Sequence, residues 1–172
     1  VFFFFVRKSD NRIIGMVNIR LVLNERLRNS SGNIGYSIRP TERRKGYNKI
    51  NLYLALLECQ KHEMKQVMLD CDKDNLGSAK TIQALCGKFE KEYLEDKKYN
   101  CLVQVYWIDV DYAIKTKKSE FEKYFDVQAS NKIKGMQLLT ADVMAELIDF
   151  QNKTNMKYDI VIKNNNIYLR FH

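Results

Sequence analysis

An α/β fold built on a mixed sheet is what this 172-residue sequence predicts, and three observations lead there. The apolar runs Phe2 to Val6 and Ile13 to Leu23 flank the turn Ser9-Asp10-Asn11, which reads as an antiparallel start. From Asn33 onward, strand-like runs alternate with apolar stretches at helical spacing. Hydrophobic residues make up 45% of the chain, enough for a core, and no low-complexity tract argues for disorder.

Each element follows from its local pattern. Phe2 to Val6 is too short for a signal-peptide core and lacks a small-residue cleavage site behind it, so it reads as a buried strand. Gly15 inside the second strand is read as a bulge position. Asn24 to Gly32 is a polar loop and Asn33 to Arg39 a third strand. Asn48 to about His62 carries Ile50, Leu52, Tyr53, Leu54, Leu56, Leu57 and Cys59, leaving little polar face, as in a helix packed on a sheet. Val67 to Cys71 is the fourth strand, Ser78 to Leu85 the next helix, and Cys101 to Val110 a further strand. Lys115 to Glu122 is a charged connection, after which the pattern restarts. Tyr124 to Gln128 and Ile133 to Leu139 read as short strands, and Thr140 as the N-cap of a helix through about Lys153. Tyr158 to Lys163 and Ile167 to Phe171 form a hairpin around Asn164-Asn165-Asn166, because Asn tolerates positive φ. Two parts are therefore expected, 1–114 and 119–172.

Charge and cysteine usage narrow the function classes. The net charge is +8, but residues 119–172 carry seven basic and seven acidic side chains, so the excess lies in residues 1–118. Its bases gather in one loop rather than in a stripe interleaved with aromatics, which speaks against nucleic acid as the partner. Cys59, Cys71, Cys86 and Cys101 form no C-x-x-C pair and the only histidines are His62 and His172, so no metal is expected. Unpaired thiols fit a reducing, cytoplasmic setting. No apolar run reaches the roughly 18 residues that span a bilayer.

Residues 33 to 48, Asn-Ile-Gly-Tyr-Ser-Ile-Arg-Pro-Thr-Glu-Arg-Arg-Lys-Gly-Tyr-Asn, carry the chemistry. A strand, a basic loop with one glycine and a helix start place backbone N–H groups and a helix N-terminus around one point, a geometry that binds phosphate. The loop fits Arg43-x-x-Gly46-x-Asn48 and resembles the pyrophosphate loop of the GCN5-related N-acetyltransferases, the GNAT family, written (Arg/Gln)-x-x-Gly-x-(Gly/Ala). Asp72-x-x-Asn75-x-x-Ser78, after a buried strand, and Tyr106-Trp107-Ile108 resemble two further family segments, in the same order. The resemblance covers about residues 1–113 and implies an acyl-CoA N-acyltransferase fold whose first strand and helices are missing ahead of Val1. Residues 119–172 resemble the C-terminal module of a bacterial family of unknown function, a small α+β unit. A composite or truncated chain is one reading of this join.

The resemblance implies acetyl-CoA as co-substrate and an amine, small-molecule or protein-borne, as acceptor. It gives the pyrophosphate to backbone amides of Arg44 to Asn48, through Lys45, Gly46 and Tyr47, with charge from Arg43, Arg44, Lys45 and Lys49. The alternative is a solvated basic turn. Polarisation of the thioester carbonyl falls to a backbone N–H near Ile38 or Arg39. Asn75, with Ser78, would bind the pantetheine arm or cap the helix. Where many members carry a proton-donating Tyr, seven residues after Asn75, stands Ile82, and Asn48 replaces the loop's last small residue. Tyr36, Tyr47 and Asp72 are the catalytic candidates, each also readable as packing or turn residues; Asp70 and a water relay are alternative bases. A non-catalytic CoA-binding or regulatory module is the rival reading, a nucleic-acid binder a third, and a homodimer is left open.

Overall fold

The structure, a computed structural model, describes residues 1–7, 9–96, 101–124, 158–163 and 166–171, and for 96 and 158–171 the backbone alone. The chain divides into two compact units. One comprises Val1–Phe5 and Ile14–Tyr124, the other Val6–Ile13 and Phe125–His172. The expected strand over 133–139 and the helix from Thr140 lie outside the described residues, as do 125–128 of the strand expected from Tyr124.

In chain order the elements are β1 (Phe2–Arg7), β2 (Arg12–Ile19), α1 (Glu25–Asn29), β3 (Ile34–Ile38), α2 (Tyr47–Lys61), β4 (Gln66–Asp72), α3 (Leu76–Ala84), β5 (Lys88–Asp96), β6 (Cys101–Asp109), α4 (Val110–Phe121), β7 (Tyr158–Lys163) and β8 (Asn166–Phe171). The strands form sheets of order β1-β2-β3, β4-β6-β5 and β7-β8. The mixed α/β class read from the sequence is the class observed. The β7–β8 hairpin runs in the register Tyr158↔Phe171 to Lys163↔Asn166, as the Asn-rich turn predicts.

β2 pairs antiparallel with β3 from Gly15↔Ile38 to Ile19↔Ile34, without a bulge. Gly15 answers a different need from the one expected: a Cβ there would run into the Ser37 carbonyl, so β3 passes too close for any side chain. β2 ends at Ile19, short of Leu23, and Leu21 and Val22 are exposed. The polar stretch beyond it forms α1, capped by Asn24, whose Oδ1 accepts from the Leu27 N–H at 2.9 Å.

No ladder joins β3 to β4 among the described residues; a buried asparagine does. Asn33 donates its N–H to the Met68 carbonyl at 2.7 Å, and its side-chain Oδ1 accepts the Met68 N–H at 2.8 Å. Its Nδ2 reaches back to Arg20 O at 3.0 Å. One side chain thus satisfies strand groups that a continuous sheet would pair, and beyond it the two sheets part.

The core gathers Ile14, Val17, Ile19, Leu52, Leu56, Val67, Leu69, Val105 and Ile108. α2 buries Asn51, Leu52, Tyr53, Ala55, Leu56 and Cys59, and Asn51 Nδ2 donates to Met16 O at 3.1 Å. Its outer flank meets α4, where Tyr53 stacks on Phe121 with ring centroids 5.0 Å apart. The charged stretch 115–122 is therefore mostly helix rather than a connection. Val110, Ala113, Ile114 and Phe121 recur at helical spacing and are buried between exposed lysines, and Asp109 caps the start. β5 was also unforeseen. Its charged sequence suits an edge strand, solvated along one side and paired with β6 along the other.

Candidate functional site

α2 begins on Gly46, whose φ of 83° lies in the left-handed region; Arg44, two residues earlier, sits at φ 61°. Such turns point successive N–H groups inward. Gly46 offers no side chain as a cap, and the first turn of α2 holds no acidic residue. The first N–H groups of a helix lie outside its own hydrogen-bond ladder, and the helix dipole adds partial positive charge there.

This start opens into a cleft of about 540 Å³ walled by the end of β3, by the loop and first turn of α2, and by the first turns of α3. Of the residues singled out in the sequence, Tyr36, Ile38, Arg43, Arg44, Gly46, Tyr47, Asn48, Asn75 and Ser78 line it, joined by Lys49. Arg43 is fixed by its own strand, donating Nε to Ile38 O at 3.1 Å. Lys45 is not a lining residue. Its Nζ pairs at 3.0 Å with Glu42, a buried carboxylate that nothing in the turn Pro40-Thr41-Glu42 announces, so its charge is already answered. Tyr47 meets Phe5 edge to face, with centroids 6.1 Å apart.

The β2–β3 register decides between Ile38 and Arg39. Arg39 donates its N–H to Ile14 O at 2.8 Å, so its hydrogen-bonding side faces β2. Antiparallel pairs alternate; Ile38 and Tyr36 therefore turn their N–H groups to the open edge of β3, away from β2. Arg39 does not line the cleft, and its N–H is engaged.

Across the cleft α3 is closed on itself. Asn75 accepts the Ser78 N–H on Oδ1 at 3.1 Å, the cap anticipated in the sequence. Ser78 Oγ lies 2.7 Å from Tyr36 Oη, so β3 and α3 are bridged by two hydroxyls. Behind them, on β4, lies the buried Cys71 beside Ser78. Burial pushes the Tyr36 phenol well above its usual range, the Ser78 hydrogen bond opposing it in part. Burial likewise raises Cys71. Both hold their protons at neutral pH.

Thr81, unremarked in the sequence, donates its Oγ1 proton to Gly77 O at 2.8 Å and accepts from Asn48 Nδ2 at 3.5 Å. This leaves Asn48 Oδ1 buried without a hydrogen-bond partner. Ile82 is fully buried against Gly87, outside the cleft lining. Asp72 is exposed at the end of β4 and is not a lining residue either. Its carboxylate groups instead with Glu95 and Cys101, ligand atoms within 4.8 Å of one another. Asp70 accepts the Ser31 N–H at 2.6 Å.

A mixed α/β unit whose two sheets part beside a cationic helix start without a side-chain cap presents an anion-binding geometry. The model of the acetyltransferase (GNAT) family matches residues 2–87, and the chain belongs to that family. A second model, a protein of unknown function (DUF3137), matches residues 106–172, beginning inside β6 rather than at 119. Among solved structures, a GNAT-family acetyltransferase from Bacillus anthracis aligns at 16% identity and a TM-score of 0.54, over 64% of this chain and 66% of its own. A ribosomal-protein-S5-alanine acetyltransferase from Vibrio fischeri aligns at 23% identity and 0.51, over 64% and 61%. A chimeric spermidine N-acetyltransferase from Vibrio cholerae aligns at 16% and 0.54, over 66% and 68%. The chain thus spans about two thirds of the length of these relatives in fold. No curated protein matches it. No helix among the described residues is long and apolar enough to cross a membrane.

Proposed function

We propose that the protein is an acetyl-CoA-dependent N-acetyltransferase in which an amine attacks the thioester directly. The observation that carries this reading is the start of α2: a left-handed glycine cap, no acidic residue in the first turn, and Arg43, Arg44 and Lys49 at a cleft beside the free edge of β3. Backbone amides of residues 44–48 would hold the pyrophosphate, with the arginines offsetting its charge. The open-edge N–H groups of Ile38 and Tyr36 would polarise the thioester carbonyl and hold an amide of the pantetheine arm. Acetyl-CoA supplies the activated acyl group. Neither Tyr47, at the phosphate end, nor Asp72, outside the cleft, is retained as a catalytic group. The acceptor would be a small-molecule or protein amine, in a cytoplasmic setting.

The burial of Ile82, where many relatives carry a proton donor, favours a second reading, a CoA-binding regulatory module. Thiol release from acetyl-CoA across a panel of amines decides between them. Amine-dependent release that is lost in Gly46→Val is the expected result. CoA-induced thermal stabilisation without release from any amine would establish the regulatory module instead.

A further inference from the structure

We infer that Tyr36 is the group that donates a hydrogen bond to the departing sulfur of CoA, with Ser78 as its positioning residue. The inference rests on the acetyl-CoA reading above. A pyrophosphate held at α2 and an arm following the open edge of β3 run from Arg43 past Ile38 to Tyr36. Ser37, Tyr36 and Ser78 bring hydroxyls to that stretch of the lining, and Tyr36 and Ser78 are the two that lie within hydrogen-bond distance of each other. Thr81 has committed its proton to Gly77 O, Ile82 has none to give, and Tyr47 stands at the phosphate end.

The hydroxyl pair has a direction. Either hydroxyl can donate across the 2.7 Å contact; with Ser78 donating to Tyr36 Oη, the phenol proton is free to turn outward. Its other acceptor, Ser78 O, is 3.4 Å away, too long for a good O–H bond and readily given up for a developing thiolate. A donor that itself accepts a hydrogen bond is polarised by it, so Ser78 donating to Tyr36 strengthens the phenol as a donor. In the transfer the C–N bond forms and the C–S bond breaks; the sulfur leaves as a thiolate held by the phenol O–H and takes up a proton from solvent, to which the ammonium nitrogen has given its own. Burial keeps the phenol protonated across the neutral range, so it stabilises sulfur as a donor.

The test reads the sulfur itself and needs no amine. The ultraviolet thiolate absorbance of the CoA complex is titrated with pH, the desulfo-CoA complex serving as blank for the protein's own cysteines and tyrosines. A phenol hydrogen-bonded to sulfur favours the thiolate, so CoA bound to the unaltered protein should titrate at least one pH unit below free CoA. Tyr36→Phe should return it to the free value and Ser78→Ala part of the way, with CoA-induced thermal stabilisation retained in both. Where an amine substrate is found, kcat for Tyr36→Phe should fall by about 10²–10³-fold, as for loss of one donor to a developing anion. An identical CoA titration in the unaltered protein and in Tyr36→Phe would overturn the inference, as would absence of CoA binding. A shifted titration with no acetyl transfer would leave Tyr36 at the sulfur and refute only the enzymatic reading.

Discussion

Two helix starts face each other across the cleft, and they are built in opposite ways. α3 begins with Asn75, whose side chain takes the Ser78 N–H, and needs nothing from outside. α2 begins on a left-handed glycine, without a side-chain cap or an acidic residue, among cations that its own dipole disfavours. A glycine in place of a side-chain cap costs only about a few tenths of a kcal/mol. The comparison separates a start closed by its own side chain from one that has none: α3 anchors a wall, while α2 presents its first turn to the cleft.

Gly46→Val attacks the open start and should have the largest effect. The wild type gains about 2.7 kcal/mol of stability at CoA one hundred times above Kd. The variant should gain none, because a branched side chain blocks the backbone approach. Nothing lies within 4 Å of a Cβ at this position, so packing in the ligand-free protein is untouched and only backbone strain lowers its own Tm. A CoA response equal to that of the wild type would remove α2 from the site. Arg43→Gln and Arg44→Gln should each weaken CoA binding by about tenfold, roughly 1.4 kcal/mol. Calorimetry should find that loss shrinking as salt is raised. Arg43 should matter more, since Ile38 O already fixes its side chain.

The closed start makes the reverse prediction. Asn75→Ala should cost about 1 kcal/mol of stability in denaturant titration and leave the CoA-induced shift intact. Loss of that shift would make Asn75 a ligand contact and erase the contrast. The smallest effect is expected at the far end of α3. Gly87 donates to Ile82 O at 2.9 Å and Cys86 to Gln83 O at 3.1 Å, a Schellman closure that places Cys86 at φ 65°. Cys86→Gly should relieve that strain and raise stability by about 0.5–1 kcal/mol. A lower Tm would show that the cysteine side chain contributes more than its backbone costs.

Much of this was legible along the chain because it is local. Strand runs, the Asn75 cap, the glycine of the basic loop and the Asn-rich hairpin are each fixed by a few neighbouring residues, and their periods and turn chemistry show without a fold. α4 escaped because its apolar stripe of Val110, Ala113, Ile114 and Phe121 is spread among lysines and becomes visible only against Tyr53. β5 escaped because an edge strand can be as polar as a loop once a partner supplies its hydrogen bonds. Lys45 read as free charge until Glu42 was found buried beneath it.

The sequence by itself determined the α/β class, the phosphate-type loop and the family, since these depend on residue order at short range. Tertiary structure alone decided which backbone amides of β3 face the open edge, because that depends on register with β2, from Ile19↔Ile34 to Gly15↔Ile38, between residues 15 to 23 positions apart along the chain. It also decided that Ile82 faces the core and that Tyr36, Ser78 and Cys71 meet. Those three lie on different elements, and only the parting of two sheets around Asn33 brings their side chains to one point.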